Sequence, residues 1–325
     1  MKKINCLVVM IPCFNEDKTI GQLIRLIPNK IEGVKEIKTL VLDDGSNDNT
    51  INEAKKAGAT KIYSRFPNKG LGTTFREGLG EALKIGADVV VNIDADLQFD
   101  PKDIPQLIKP IQEGKADMVT CTRFAKKELV PQMPGIKKFG NWYFTKVVSL
   151  LLKQKFTDTQ CGFRAYTKEA CLRMNLFGKF TYTQEVFLDL ANKGMKITEV
   201  PLKVKGEREG KSRIVKSWWN YGIKSMLIIL RATRDYYPLK FFGGIGTITF
   251  LLGALPGAWL LLRWFETGKT TPFQSLILFS ATLMILGFLL IILALLADMQ
   301  DRQRKILEEI LYQQRKSALK NNLQK

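Results

Sequence analysis

At 325 residues the chain is long enough for one large domain with an appendage. Fifty Lys and Arg against 31 Asp and Glu leave a formal charge of +19, which points to a polyanionic partner: nucleic acid, acidic lipid headgroups or a phosphorylated substrate. Histidine is absent, which excludes imidazole acid–base catalysis, Ser-His-Asp triads and zinc sites built on imidazole. Cys6, Cys13, Cys121, Cys161 and Cys171 form no CxxC pair and sit in apolar settings, as reduced, buried thiols of a cytosolic domain do.

In chain order, Leu7–Ile11, Thr39–Leu42, Lys61–Ser64, Val89–Ile93 and Met118–Thr122 are β-branched or continuous apolar runs that predict buried strands. Between them Thr19–Ile27, Thr50–Ala57 and Thr73–Ile85 carry helical patterns. This alternation predicts an α/β domain with a doubly wound, mostly parallel sheet and helices on both faces. Ligands of such sheets bind beyond the carboxyl ends of the strands. After Lys126 the alternation stops. A helix is expected near Asn141–Lys153, a strand near Gly162–Tyr166, a helix near Gln184–Lys193 and an extended segment over Ile197–Val204.

The last third differs in kind. Ile214–Leu230 sets Val215, Trp218, Trp219, Ile223, Met226, Leu227 and Leu230 on one helical face, opposite Lys216, Asn220 and Lys224. A basic, Trp-bearing amphipathic helix of this kind fits the plane of a membrane surface, and a soluble core helix is the other reading. Phe241–Leu262 and Phe273–Ala297 are apolar on every side and long enough to cross a bilayer. Residues 201–240 hold ten Lys/Arg against three acids, and the tail adds Arg302, Arg304, Lys305, Arg315 and Lys316. The positive-inside bias then puts the α/β domain and both termini in the cytoplasm. The expected division is an α/β domain over 1–212, the amphipathic helix over 213–236, membrane helices over 241–262 and 273–297, and a basic tail over 298–325. In that tail Ile306, Leu307, Ile310 and Leu311 recur at helical spacing, which suits a contact between copies or a plain surface helix. Gly253 and Gly257 form a GxxxG in the first membrane helix, a spacing that permits close helix approach.

Two acidic motifs carry chemistry. Asp94-Ala-Asp96-Leu-Gln98 follows a predicted strand directly, and its hard oxygen donors at alternate positions suit Mg²⁺ or Mn²⁺ completed by a substrate's phosphates. Asp43-Asp44-Gly45-Ser46-Asn-Asp48-Asn49-Thr50 also follows a strand and opens a helix; Asp48 or Asn49 can cap it, and two adjacent acids exceed what capping needs. Asn68-Lys-Gly70-Leu-Gly72 lacks dinucleotide spacing and reads as a loop that lets a ligand approach the backbone closely or, equally, as a plain tight turn.

Pro12-Cys-Phe14-Asn15-Glu16, the Asp43–Thr50 motif and Asp94-Ala-Asp96-Leu-Gln98-x-x-Pro101, in this order, resemble the motif series of glycosyltransferase family 2. With Asp158-Thr-Gln-Cys-Gly162-Phe163-Arg164 and the terminal hairpin, the chain is similar to the polyprenyl-phosphate branch, of the dolichyl-phosphate mannose synthase kind. The resemblance implies a nucleotide-sugar donor, a polyprenyl-phosphate lipid acceptor and a divalent metal. It implies donor binding by Pro12, Phe14, Glu16, Asp43, Asp44, Asp94 and Asp96, and metal ligation by Asp94, Asp96 and Gln98. For the acceptor phosphate it implies Arg123, Lys137, Lys138, Arg164, Arg208, Lys211 and Ser212; Asp94, Asp96, Arg123 and Arg208 form the catalytic set. Phe14 and Phe99 depart from the Tyr and His common there, and Lys137-Lys138 stands where an Arg pair is frequent.

A lipid phosphate has a second pKa of about 6 and needs no general base, which suits a chain without histidine. In-line attack by it would invert the anomeric centre. A processive QxxRW element is absent, so transfer of a single sugar is expected. The rival is a hydroxyl acceptor on a lipid or polysaccharide, with Glu185 as base. Nucleic acid is not an expected partner, because the basic residues gather beside the apolar segments. A homo-oligomer stays open.

Overall fold

The computed structural model describes residues 2–131, 133–177, 182–205, 226–227, 230–231 and 233–323. Two compact units emerge, Met1–Ile229 with Leu311–Lys325, and Leu230–Ile310.

The first unit is built on a seven-stranded sheet. Its strands are β1 (Ile4–Cys13), β2 (Val34–Asp43), β3 (Lys61–Ser64), β4 (Val89–Asn92), β5 (Met118–Thr122), β6 (Arg164–Thr167) and β7 (Ile197–Pro201), in the order β3-β2-β1-β4-β6-β5-β7. All pairings are parallel except those of β6, which runs antiparallel between β4 and β5. The doubly wound, mostly parallel sheet expected from the sequence is therefore present, with one reversed strand that the run Gly162–Tyr166 did not disclose. Every β1 side chain but Asn5 is buried, so the strand reads as one continuous apolar run. Alternate residues serve the two faces: Leu7, Val9 and Ile11 join the cluster around α1 (Ile20–Leu26), whereas Met10 meets α3 (Leu71–Lys84). Gly78 lets α3 settle on the sheet, since a Cβ there would lie 2.7 Å from Met10 Sδ and closer still to Leu42.

The remaining helices of this unit are α2 (Thr50–Lys56), α4 (Ile104–Gln112), α5 (Gly135–Leu152), α6 (Lys168–Arg173) and α7 (Thr183–Asn192). The α5 helix starts six residues before the sequence pattern suggested, because its first turns expose their apolar residues and carry no inward periodicity. All five thiols are free and buried, as expected.

The unit is completed from a distant part of the chain. In α9 (Gln274–Leu323) the turns from Leu311 onward belong to the first unit. Tyr312 and Leu319 are buried, and the Tyr312 hydroxyl donates to Glu169 at 3.0 Å. Arg315 Nη1 donates to the carbonyls of Leu172 and Met174, each at 2.9 Å, satisfying acceptors that the end of α6 leaves open. Burial pushes the Arg315 guanidinium below its usual pKa, and the Asp189 carboxylate works against that. The tail from Tyr312 to Leu319 is thus packed rather than frayed, whereas Ile306, Leu307, Ile310 and Leu311 remain exposed.

In the second unit α8 (Gly244–Thr267), entered through a wide π turn at Leu239–Gly243, packs against α9. Helix-only spans of Leu239–Thr267 and Gln274–Asn321 are long and apolar enough to cross a membrane. Most of their apolar side chains face outward, which is the opposite of a soluble core helix. The glycines face the partner helix: a Cβ on Gly253 would lie 2.7 Å from Ser280 O and Met284 N, and one on Gly257 would lie 2.6 Å from Ser280 Oγ. Ser280 Oγ also donates to the Gly253 carbonyl. The GxxxG therefore serves contact within the hairpin.

Arg315→Ala should leave the end of α6 without a partner for two carbonyls. The expected cost is roughly 1–3 kcal/mol, read as a lower thermal midpoint of the full-length protein in detergent, with partial recovery in Arg315→Lys. An unchanged midpoint would mean that the tail does not brace this unit.

Candidate active site

Strand order reverses between β1 and β4, the point at which sheets of this kind receive ligands in a crevice beyond the carboxyl ends of their strands. The loops that line it are held by their own short polar side chains. Asn15, with φ +53°, turns the chain after β1; its amide donates to Ser46 Oγ at 2.8 Å, and its Oδ1 accepts from the Asn47 amide at 2.8 Å. The Glu16 amide donates to Thr50 Oγ1 at 2.8 Å. The loops after β1 and β2 are thereby clasped together, with Pro12 buried and Phe14 and Glu16 half-buried beside them.

Asp43 is buried, accepts from Ser64 Oγ at 2.8 Å and caps the turn at the Ser46 amide. Asp48 accepts from the Thr50 amide and hydroxyl; burial would raise its pKa, but these bonds and the Asp17 amide hold it below the usual carboxylate range. Burial drives the Cys13 thiol well above its ordinary value, and the negative charge of Asp43, Glu16, Asp48 and Asp44 adds to the effect. This end of the crevice is therefore acidic, suited to a nucleoside's hydroxyls and amides rather than to its phosphates.

Asp44, expected to bind donor, is engaged by groups of the protein. Its Oδ1 accepts from Arg65 Nε at 2.9 Å, Arg65 Nη2 at 2.7 Å and the Lys69 amide at 3.0 Å, and its Oδ2 accepts from the Gly70 amide at 2.9 Å. Arg65 also reaches Glu77 and Thr74. The carboxylate is consumed in holding the glycine loop, where Gly70 needs φ +90° to turn into α3. Arg65 was not legible as a site-shaping residue, because nothing in the sequence marks it as the partner of Asp44.

Asp94, Asp96 and Gln98 emerge from β4 at the centre of the crevice. Asp96 is buried, Asp94 and Gln98 half-buried. Asp96 Oδ1 accepts from the Gln98 amide at 3.2 Å across Leu97, which adopts φ +57°, a sparsely populated state for a branched side chain. Behind them the Asn92 amide group donates to the Gly162 carbonyl and the Tyr182 hydroxyl, both at 2.9 Å. Burial first, and Asp94's charge second, raise the Tyr182 pKa well above normal. Among the described residues no group of three or more His, Cys, Asp or Glu could hold a metal ion. The site fits an ion of the Mg²⁺ or Mn²⁺ kind that takes two carboxylates from protein and its other ligands from phosphates and water.

Arg123 follows β5. Its Nε and Nη2 form a bidentate pair with buried Asp158, at 2.6 and 3.0 Å. Burial opposes the charge on Arg123, but Asp158 more than offsets that, and the guanidinium pKa goes up. Asp158 in turn takes the Gln160 amide at 3.1 Å, so the Asp158–Gly162 turn and the arginine form one piece. The expectation that Arg164 binds acceptor phosphate is corrected: it is fully buried, donating to the carbonyls of Thr183 and Thr159 at 2.9 and 3.0 Å and lying 4.9 Å from the Phe187 ring. It is a structural cation under the site. Lys138 is exposed at the start of α5, beside Lys137. Arg208, Lys211 and Ser212, with most of the expected amphipathic helix, lie outside the described residues; the described chain reaches Lys205, whose amide donates to the Gln98 carbonyl at 3.0 Å.

Gly162 is a site residue that the motif contained without revealing its purpose. A Cβ added there would stand 2.7 Å from Asp94 Oδ2. Gly162→Ala should displace the Asp94 carboxylate and cut transfer by roughly 10²-fold while the fold persists, since misplacement of a catalytic group by about 1 Å has that effect. Turnover within a factor of a few of the parent, at unchanged thermal midpoint, would show that Asp94 needs no such contact.

Comparison with known proteins agrees with this architecture. The family model for glycosyl transferase family 2 matches residues 8–173. A UDP-N-acetylglucosamine–dolichyl-phosphate N-acetylglucosaminyltransferase of Methanococcus voltae is 31% identical over 214 residues, covering 60% of this chain and 84% of that one. An undecaprenyl-phosphate mannosyltransferase of Micrococcus luteus is 26% identical over 219 residues, 64% of this chain and 86% of that one. Among solved structures, glucosyl-3-phosphoglycerate synthase of Mycobacterium tuberculosis, in complex with Mn²⁺, UDP and phosphoglyceric acid, superposes with a TM-score of 0.55 at 21% identity over 71% of this chain and 78% of that one, a likeness of fold. With the family model spanning β1 to α6 and both acidic loops at the expected strand ends, the chain belongs to glycosyl transferase family 2 and is a glycosyltransferase.

Proposed function

We propose that the protein transfers a single sugar from a nucleotide-sugar donor to a membrane polyprenyl phosphate, with inversion at the anomeric carbon and with the help of a divalent metal. One observation carries the reading: a guanidinium fixed by a buried carboxylate, Arg123 on Asp158, stands at the carboxyl end of β5, two strands from the Asp94–Gln98 loop. Strand spacing makes that separation roughly 10 Å, room for a donor diphosphate at one side and an acceptor phosphate at the other. The relatives' names share a polyprenyl phosphate and differ in sugar and in lipid, which supports the acceptor class and leaves the sugar open. The donor base, UDP or GDP, is equally open.

In this reading the clasped loops around Pro12, Phe14, Glu16 and Asp43 receive the nucleoside. Asp94 and Asp96, with Gln98, would hold Mg²⁺ or Mn²⁺, which supplies positive charge against that developing on the departing diphosphate. Arg123 holds the acceptor phosphate, helped by Lys137 and Lys138 and by Arg208, Lys211 and Ser212. One phosphate oxygen bonds to the anomeric carbon as its bond to the donor oxygen breaks, and the electron pair leaves on the nucleotide diphosphate. With a phosphate second pKa of about 6 no proton has to be removed. Charge balance, not acid–base catalysis, is what the protein provides. A hydroxyl acceptor would need a base, and the candidate Glu185 already accepts from the Phe177 amide at 2.7 Å.

The apolar hairpin anchors the enzyme in the membrane. The basic flanks, and the packing of Tyr312, Arg315 and Leu319 within the catalytic unit, support a topology with that unit and both chain ends on the cytoplasmic side.

Asp96→Asn should keep the fold and lose divalent-dependent transfer; turnover near that of the parent, still requiring metal, would remove Asp96 from the ligand set. For the acceptor, purified full-length enzyme is given its preferred donor with polyprenyl phosphate or with the free polyprenol. Transfer to the phosphate alone is expected, with only a modest loss in Glu185→Gln. Transfer to the alcohol, or a loss in folded Glu185→Gln of the ~10²–10⁴-fold that a general base contributes, would establish the hydroxyl acceptor instead.

A further inference from the structure

Glu199 lies half-buried in β7, the edge strand beside β5. Its carboxylate faces the turn that carries Asp158. The Thr157 amide donates to both of its oxygens at 2.9 Å, the Thr157 hydroxyl to Oε2 at 3.0 Å and the Asp158 amide to Oε1 at 2.8 Å.

An ionised carboxylate only accepts, so it fixes the direction of the bonds behind it. The Thr157 hydroxyl spends its one proton on Glu199. The contact between the Thr122 and Thr157 hydroxyls, at 2.5 Å, therefore runs from Thr122 to Thr157. Thr122 Oγ1 accepts in turn from the Phe124 amide at 3.3 Å. Thr122 and Phe124 are the two neighbours of Arg123 in the chain. On the other side, Asp158, whose own amide Glu199 holds, takes Nε and Nη2 of the same arginine. Two hydrogen-bonded routes to Arg123 thus end on one carboxylate. One passes through the backbone that flanks the arginine, the other through its ion pair.

The charge on Glu199 is not kept for the stability of the fold. Burial raises its pKa, the Asp158 and Thr157 bonds pull it down, the Asp158 charge adds to the rise, and the net shift is upward. A carboxylate whose folded pKa lies above its unfolded value costs stability at any pH above both, so at neutral pH the ionised group works against folding. We propose that Glu199 is a positioning residue for Arg123, holding the guanidinium and its Asp158 partner in the orientation that receives the acceptor phosphate. The effect on transfer rests on the polyprenyl-phosphate reading above; the control of Arg123 by Glu199 does not.

The experiment uses the full-length enzyme in detergent. Glu199→Gln keeps the size and one acceptor but sets an amide group where donors point. It should retain the parent's thermal midpoint and nucleotide-induced thermal shift, with KM for the nucleotide sugar within about twofold. KM for polyprenyl phosphate should rise by roughly tenfold or more, the loss expected when a charge-assisted hydrogen bond is broken. On an Arg123→Ala background the same substitution should cost nothing further in kcat/KM for the lipid, because its effect runs through that arginine. Thr157→Val, at an exposed residue, removes the hydroxyl donor alone and should move the same parameter in the same direction. A lipid KM within about twofold of the parent in Glu199→Gln, or equal proportional losses with and without Arg123, would overturn the proposal. A lower midpoint with both KM values rising together would do the same, making Glu199 a structural tie alone. Phenylglyoxal labelling read by mass spectrometry follows Arg123 without turnover. Arg123 should react faster in Glu199→Gln than in the parent, whereas Arg65, held by Asp44, should react alike in both. Equal reaction of Arg123 would contradict the positioning. If Arg123→Ala itself leaves KM for the lipid unchanged, the acceptor reading fails, and the labelling still decides whether Glu199 controls Arg123.

Discussion

A loop that leaves a buried strand carries amides and carbonyls that the sheet no longer satisfies, and those groups must find partners or the loop cannot stay near the core. The chain meets this need with short side chains from neighbouring loops. Asn15, Ser46, Thr50 and Asp48 tie the ends of β1 and β2 to each other. Asp44 binds the amides of Lys69 and Gly70, and Asp158 that of Gln160. Each of these loops is thereby a hydrogen-bonded piece, and in the DxD loop Asp96 does the same for the Gln98 amide.

Charge is sorted as well. Carboxylates gather at the β1 and β2 end, where they push the Cys13 thiol up, and cations gather past β5 and along α5.

The sheet was legible because parallel strands buried on both faces read as unbroken apolar runs, and the acidic motifs sat at their carboxyl ends. β6 gave no sign of running antiparallel, because four residues of mixed polarity carry no direction. Asp44 and Arg164 have the residue types of a binding site, but their roles depended on partners far along the chain: Arg65 for one, the carbonyls of Thr159 and Thr183 for the other. The exposed apolar residues in the first turns of α5 hid for the opposite reason. Apolar periodicity in a water-soluble domain is read as facing inward, and here two faces of one helix are apolar. Gly162 was visible as a residue but not as a space, since only the position of the Asp94 carboxylate shows why the side chain must be missing.

The tail that caps α6 makes the catalytic unit discontinuous in sequence, with the two apolar helices inserted between its parts. Translation runs from the amino end, so residues 311–325 are made only after both helices of the hairpin have been threaded through the ribosome. Until then α6 ends on open carbonyls and the face that receives Tyr312 and Leu319 is bare. Maturation of the enzyme is thereby ordered: the sheet can assemble early, but its last brace arrives after the segments bound for the lipid. A chain in which only one of the two apolar helices crossed a bilayer would strand its brace on the far side, leaving an unfinished fold exposed to cellular quality control.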